Sequence, residues 1–210
     1  YNPSGSVKDR MICYVTEKAL ERGEISDDAI LCDATSGNTG IALSMVAASL
    51  GLKCVIFMPS NMSEERKQMI RVYGAQIVDA PPDDFTRAIE MRDEYLEVTP
   101  NAWSPNQFHN PENVECHLTT TGPEILSDVN DLGTGWSAFI HGSGTGGTIE
   151  GVRRFLRHTG LLTKVIMVQP EESPHGIQGI ADGKEFLALD ADMDEIVRIK
   201  TVDAIKRAKQ

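Results

Sequence analysis

The chain has 210 residues, 40% of them hydrophobic, and 31 acidic against 20 basic side chains give a formal net charge of −11. That length and apolar fraction suffice for a buried core in one or two domains. The acidic balance argues against a nucleic-acid partner and against an anionic membrane surface, which leaves small metabolites as the ligand class. Cys13, Cys32, Cys54 and Cys116 have no CxxC or zinc spacing. Three of them lie in apolar stretches, so buried free thiols in a reducing compartment are expected rather than disulfides. With neither a signal-peptide pattern nor an apolar run of bilayer length, the cytoplasm is the expected location.

In chain order, Pro3 and Gly5 interrupt regular structure, Ser6 is placed to cap a helix, and Asp9 is placed three residues on to reach back to it. A helix is therefore predicted to open at Lys8, with Met11, Ile12, Val15, Ala19 and Leu20 at helical spacing and Gly23 as its stop. A lysine in a first helical turn faces the positive end of the macrodipole, which disfavours the ammonium and enriches the neutral amine. Residues 29–32 read as a short buried strand, 39–50 as a helix ended by Gly51, and 54–58 as a second strand closed by Pro59. Together they make a βαβ unit with parallel strands. A helix from 63 to 73, a strand at 75–78 and an amphipathic helix at 84–96 follow. The Pro- and Asn-rich stretch 99–113 marks a long loop and a domain crossing. Helix resumes near 114–118 and either ends at the Thr119-Thr120-Thr121-Gly122-Pro123-Glu124 break or runs on past it. A second βαβ unit takes strand 136–140, helix 148–158 and strand 164–168, and a last strand near 196–199 precedes a helix opening at Asp203. The class is α/β, with open twisted parallel sheets.

Two strand-to-helix loops carry candidate chemistry. Thr35-Ser36-Gly37-Asn38-Thr39-Gly40 offers backbone N–H groups and hydroxyls at a helix start, a site for a carboxylate or another small anion, although helix capping alone also explains these residue types. Gly40 more simply reflects close helix packing. His141-Gly142-Ser143-Gly144-Thr145-Gly146-Gly147-Thr148 holds four glycines in six positions, which a turn alone explains poorly. A phosphate dianion cradled by amides and by the Thr145 and Thr148 hydroxyls explains them better. No lysine follows in P-loop position. Gly142-x-Gly144-x-x-Gly147 also satisfies the dinucleotide fingerprint, with Glu171 after the next strand as a ribose-binding acid, so a non-catalytic dinucleotide-binding module is the rival reading.

Asn2-Pro3-Ser4-Gly5-Ser6-Val7-Lys8-Asp9-Arg10, the Thr35–Gly40 loop and the Gly142–Thr148 loop, in that order, resemble the cysteine synthase group of the fold type II pyridoxal 5'-phosphate enzymes. Asn106-Gln107-Phe108-His109-Asn110-Pro111 and Gly176-Ile177-Gln178-Gly179-Ile180 add to the likeness, which spans nearly the whole chain. The resemblance implies that Lys8 forms the Schiff base with the cofactor and later acts as the base at substrate Cα. It implies that Asn38 bonds the cofactor's 3′ oxygen and that Gly144, Thr145, Gly146, Gly147 and Thr148 form its phosphate cup. Thr35, Ser36, Gly37, Thr39, Gln107 and Gly179 fall at the substrate-binding positions. The implied reaction is β-elimination from O-acetylserine or a similar activated serine, followed by addition of a sulfur nucleophile to give cysteine. Related members that make cystathionine or diaminopropionate are the alternative. A homodimer and a serine acetyltransferase partner are further implications.

The resemblance divides the chain into a smaller domain over 9–112 and a larger cofactor-binding domain over 113–210 that includes the Lys8 segment. It also implies truncation at both ends, since the family carries further segments upstream and downstream. Ala181 stands where the synthases usually have glycine, which bears on the second substrate's pocket. His109, His117, His141, His158 and His175 have no mutual metal spacing, so no metal is expected and loop or surface roles are favoured. Met58, Met62 and Met69 are expected to pack.

Overall fold

The computed structural model describes residues 1–177, 179–180 and 187–210. Gln178 and Ala181, named above, lie outside them. The chain is α/β and divides into two compact units, Tyr1–Asn106 and Gln107–Gln210. The division falls six residues before the 112/113 boundary expected from the sequence, and the Lys8 segment clusters with the first unit.

In the first unit, α1 (Lys8–Glu21) precedes β1 (Ile30–Ala34), α2 (Asn38–Leu50), β2 (Lys53–Pro59), α3 (Glu64–Val72), β3 (Gln76–Ala80), α4 (Phe85–Val98) and β4 (Ala102–Trp103). The strands form one parallel sheet in the order β3-β2-β1-β4, with Leu31 opposite Cys54 and Ile56 opposite Ile77. Strands buried on both faces read as continuous apolar runs, and here alternate residues serve opposite cores. Leu31, Cys54, Ile56 and Met58 pack with Met11, Ile12, Val15, Ile41 and Leu43 of α1 and α2. Cys32, Ala34, Val55 and Phe57 pack with Ala88 of α4 and its partly buried neighbours. Asp84 caps α4 by accepting from the Arg87 N–H at 2.8 Å, and Gly51 ends α2 in the left-handed conformation at φ 70°.

The start of α1 departs from the expected capping box. Val7 is the N-cap residue, and although Ser6 Oγ accepts from the Lys8 N–H at 3.3 Å, Asp9 turns to Ser4. The Asp9 carboxylate accepts from the Ser4 N–H at 2.7 Å and from the Ser4 hydroxyl. Gly5 at φ 92° makes this possible by folding the preceding residues back over the first helical turn, where Asp9 is buried.

The second unit holds α5 (Glu112–Cys116), a π-helical turn (His117–Thr121), α6 (Gly122–Asp131), β5 (Ala138–Gly142), α7 (Gly147–His158), β6 (Lys164–Pro170), β7 (Glu195–Ile199) and α8 (Thr201–Ala208). Its sheet is parallel in the order β5-β6-β7. Helix continues through Gly122-Pro123, where the preceding π-helical turn shifts the bonding so that the Gly122 N–H donates to the His117 carbonyl. The core is Ile149, Val152 and Leu156 of α7 against Val165 and Met167 of β6.

All four cysteines are free, with Cys13 exposed and the other three buried. Burial pushes the Cys32 and Cys54 thiols up to about 12, so both are inert at neutral pH. Met58 is fully buried as expected, whereas Met69 on α3 is exposed, one residue before the buried Ile70. Among the described residues no helix is long and apolar enough to cross a membrane.

Candidate active site

In the first unit, Thr35–Asn38 links the carboxyl end of β1 to the amino end of α2, where open α/β sheets place their ligands. Thr35 and Thr39 are buried, and Ser36 is half-buried. The Gly37 N–H donates to Thr35 Oγ1 at 3.0 Å, and the Thr35 N–H donates to the Phe57 carbonyl at 3.0 Å, which holds the loop on β2. A Cβ at Gly40 would stand 2.7 Å from Thr35 Cγ2, 3.1 Å from Ile56 Cγ2 and 3.2 Å from Ile70 Cδ1. The glycine therefore lets α2 press on the loop and the sheet. Gly40→Ala is expected to lower stability by about 1–3 kcal/mol through overpacking, read as a shift of the urea midpoint.

Immediately before this loop, Asp33 is fully buried. Its carboxylate accepts from Arg92 Nη1 at 3.0 Å, from the Ala34 N–H at 2.8 Å and from the Ser104 hydroxyl at 3.4 Å. Burial raises its pKa to about 6, against the downward pull of Arg92. Sequence reading missed this pair because nothing local links residues 59 positions apart.

Lys8 opens α1, and its amine is lowered in pKa. The direction is the one argued from helix polarity, but the cause is desolvation by burial. An ammonium that loses water is disfavoured, so neutral amine is available at lower pH than for a solvated lysine.

In the second unit, β5 delivers Gly142 to a turn that enters α7 at Gly147. The first N–H groups of a helix have no intrahelical acceptors, and here they follow a run of residues too small to shield them. Gly146 is left-handed at φ 87°, and a Cβ there would stand 2.5 Å from the Ala188 nitrogen. A Cβ at Gly144 would stand 2.6 Å from the Gly179 carbonyl oxygen, which brings the expected Gly179 against the loop. Thr145 Oγ1 accepts from Asn113 Nδ2 at 3.0 Å and from the Gly147 N–H at 3.4 Å. Gln107 is buried in this unit, its carbonyl accepting from Asn113 Nδ2 at 2.9 Å.

Thr148 is buried, and its Oγ1 lies 3.1 Å from His117 Nε2. The other ring nitrogen, Nδ1, lies 2.8 Å from Thr121 Oγ1. His117 is thus fully buried in the π-helical turn, not in a loop or on the surface. One polar neighbour, Thr121, lies in its own turn and the other, Thr148, comes from α7, 31 residues on, so its spacing to other histidines carried no signal. His117→Ala is expected to cost about 2–4 kcal/mol, because it opens a cavity and leaves two hydroxyls unpaired. Chemical denaturation of the variant checks this. His141 is half-buried on β5 and stacks on Phe139 at 5.7 Å between ring centroids.

Each unit carries a glycine- and hydroxyl-rich turn between the end of a strand and the start of a helix, and burial lowers the pKa of Lys8 in the first. The chain belongs to the pyridoxal-phosphate dependent enzyme family, which matches residues 1–205. A cysteine synthase of Flavobacterium sp. is 42% identical over 192 residues, covering 87% of this chain and 62% of its own length. The chain thus spans less than two thirds of that relative. The structure of an O-ureido-L-serine synthase superposes with a TM-score of 0.91 at 34% identity, covering 99% of this chain and 68% of that one. An O-acetylserine dependent cystathionine β-synthase from Helicobacter pylori superposes with a TM-score of 0.87 at 33% identity, covering 98% and 69%.

The residues present fit the family's cofactor. At the start of α7 the first helical N–H groups stand beside Thr145, which keeps a hydroxyl proton to donate once both of its inward bonds are made. That turn suits a phosphate. Family membership supports this chemistry over the dinucleotide rival. Glu171, the candidate ribose acid of that rival, pairs with Lys200 at 3.7 Å.

Proposed function

We propose that the protein catalyses β-replacement on O-acetylserine or a similar activated serine, with a sulfur nucleophile, to form cysteine. The observation that carries this is the conjunction of a lysine of lowered basicity, Lys8, with two loops whose hydroxyls and amides suit a carboxylate and a phosphate. The cysteine synthase at 42% identity supports the choice of reaction. Pyridoxal phosphate, when bound, supplies the electron sink for chemistry at the substrate's Cα and Cβ.

The remaining work falls to the chain's own residues. Lys8 Nζ would hold the cofactor and accept the Cα proton of the substrate, for which a neutral amine is required. Gly144, Thr145, Gly146, Gly147 and Thr148 would hold the phosphate, and Asn38 would orient the ring through its 3′ oxygen. Thr35, Ser36, Gly37, Thr39 and Gln107 would bind the substrate carboxylate, and Gly179 would border the substrate. Binding the carboxylate at several points fixes which Cα bond is broken and keeps water from the reactive carbon. Homodimerisation, a serine acetyltransferase partner and a cytoplasmic location belong to this proposal through the resemblance alone.

A second reading is a different β-substituted alanine as product. The likeness to an O-ureido-L-serine synthase and to an O-acetylserine dependent cystathionine β-synthase favours keeping it. Incubating the complete protein and cofactor with O-acetylserine plus sulfide, homocysteine, hydroxyurea or ammonia separates the readings. Cysteine as the main product supports the first reading, and preference for another nucleophile supports the second. Consumption of no activated serine with any nucleophile overturns both.

A further inference from the structure

We propose that Asn113 is a positioning residue that aims the Thr145 hydroxyl outward and dictates glycine at position 147, so that one buried amide shapes the phosphate-binding turn. This rests on the reading of that turn as the cofactor's phosphate site.

Asn113 lies in α5, 32 residues from Thr145 in sequence, and is fully buried. One of its partners, the Gln107 carbonyl at 2.9 Å, can only accept, which fixes the amide nitrogen on that side. Nδ2 has two protons, and the second goes to Thr145 Oγ1 at 3.0 Å. Thr145 Oγ1 also receives the Gly147 N–H at 3.4 Å, so both of its lone pairs face protein donors. Its own proton must then be donated elsewhere, and an anion at the helix start is the strongest acceptor that position can offer.

The same side chain explains a glycine. A Cβ on Gly147 would stand 2.0 Å from Asn113 Oδ1 and 2.4 Å from its Cγ. Asn113 Oδ1 is buried without a hydrogen-bond partner among the described residues, at the positive end of α7 where a partial negative charge is favoured. Gly151, one helical turn on, continues the close approach, its Cβ position lying 2.5 Å from the Val114 carbonyl oxygen. Gly147 is therefore glycine because Asn113 occupies the space of its side chain. Since Asn113 also holds the Gln107 backbone, it ties a proposed substrate-binding residue to the phosphate turn within one unit.

The test is a pair of titrations of the complete protein, with pyridoxal 5'-phosphate and with pyridoxal, which lacks the phosphate. Asn113→Ala should weaken the phosphorylated ligand roughly tenfold, the worth of one buried charge-assisted bond, and leave pyridoxal unchanged. Thr145→Val should give the same selective loss, and the double variant no further loss. Asn113→Asp guards against a packing artefact. It preserves shape, but the new carboxylate draws the Thr145 proton inward, so the same selective loss is expected. Separately, Gly147→Ala should lower the melting temperature, and adding Asn113→Ala should restore part of it. Equal weakening of both ligands, additive losses from Asn113 and Thr145, or no rescue of Gly147→Ala would each overturn the inference. A wild-type protein that binds neither ligand overturns the cofactor reading itself, a different and separable result.

Discussion

Replacing Lys8 with alanine is expected to abolish the visible absorbance of the cofactor-loaded protein and to lower turnover by about 1,000-fold, the usual scale for loss of a positioned acid-base group. On the proposed role of Lys8, covalent capture of the cofactor depends on the same amine, so the spectral and catalytic losses should appear together. The pKa direction adds a test that needs no cofactor. Burial lowers the Lys8 amine below 10.5, so in the window beneath that value the unfolded chain holds a proton that the folded chain has released. The unfolded state binds more protons there, and stability gains from rising pH. Lys8→Met in the cofactor-free protein removes this penalty. It should be more stable than wild type at neutral pH, and the advantage should shrink as pH approaches 10.5. An advantage that stays constant with pH would mean that the Lys8 amine is not desolvated.

Arg92→Met should destabilise the protein by about 3–5 kcal/mol at neutral pH, because the fully buried Asp33 carboxylate would lose its cation. In wild type, Asp33 titrates at about 6 against an ordinary value of 3.8. Between those values the folded state keeps a proton that the unfolded state has lost. The contribution of Asp33 is therefore complete at low pH and falls as pH rises through about 6. Arg92 pulls this pKa down, so its removal pushes the carboxyl higher. The defect of Arg92→Met should be largest above pH 7 and smaller near pH 4, where the carboxyl is protonated. Replacing both partners, as Asp33→Leu with Arg92→Met, should recover most of the loss, since an apolar pair carries no desolvation cost. Urea denaturation across this pH range reads all three proteins. A pH-independent defect, or no recovery in the double variant, would show that Asp33 and Arg92 do not act as a pair.

The alternating βαβ pattern was legible in the sequence because its central strands are apolar runs, two of them closed by proline. Cys54 to Met58 with Pro59, and Val165 with Met167, are such runs in the parallel sheets. The first helix opens at Lys8 as expected, but its capping was not legible: Asp9 bonds Ser4 instead of Ser6. The two loops were legible because glycines and hydroxyls cluster at strand-to-helix junctions. What supports them was not. Asn113, His117 and the Asp33–Arg92 pair act through contacts between elements far apart in sequence, and each alone reads as an ordinary polar residue. The motif Gly144-Thr145-Gly146-Gly147 suggested one cause for its glycines, yet they answer to different neighbours: a carbonyl at Gly144, a left-handed turn at Gly146 and an amide at Gly147.

The central claim, that Lys8 carries the cofactor, is tested most directly by reducing the cofactor-loaded protein with borohydride and mapping the modified peptide by mass spectrometry. The account predicts a pyridoxyl phosphate adduct on Lys8, absent from Lys8→Ala. An adduct on another lysine, or none in a protein that binds the cofactor, would contradict it.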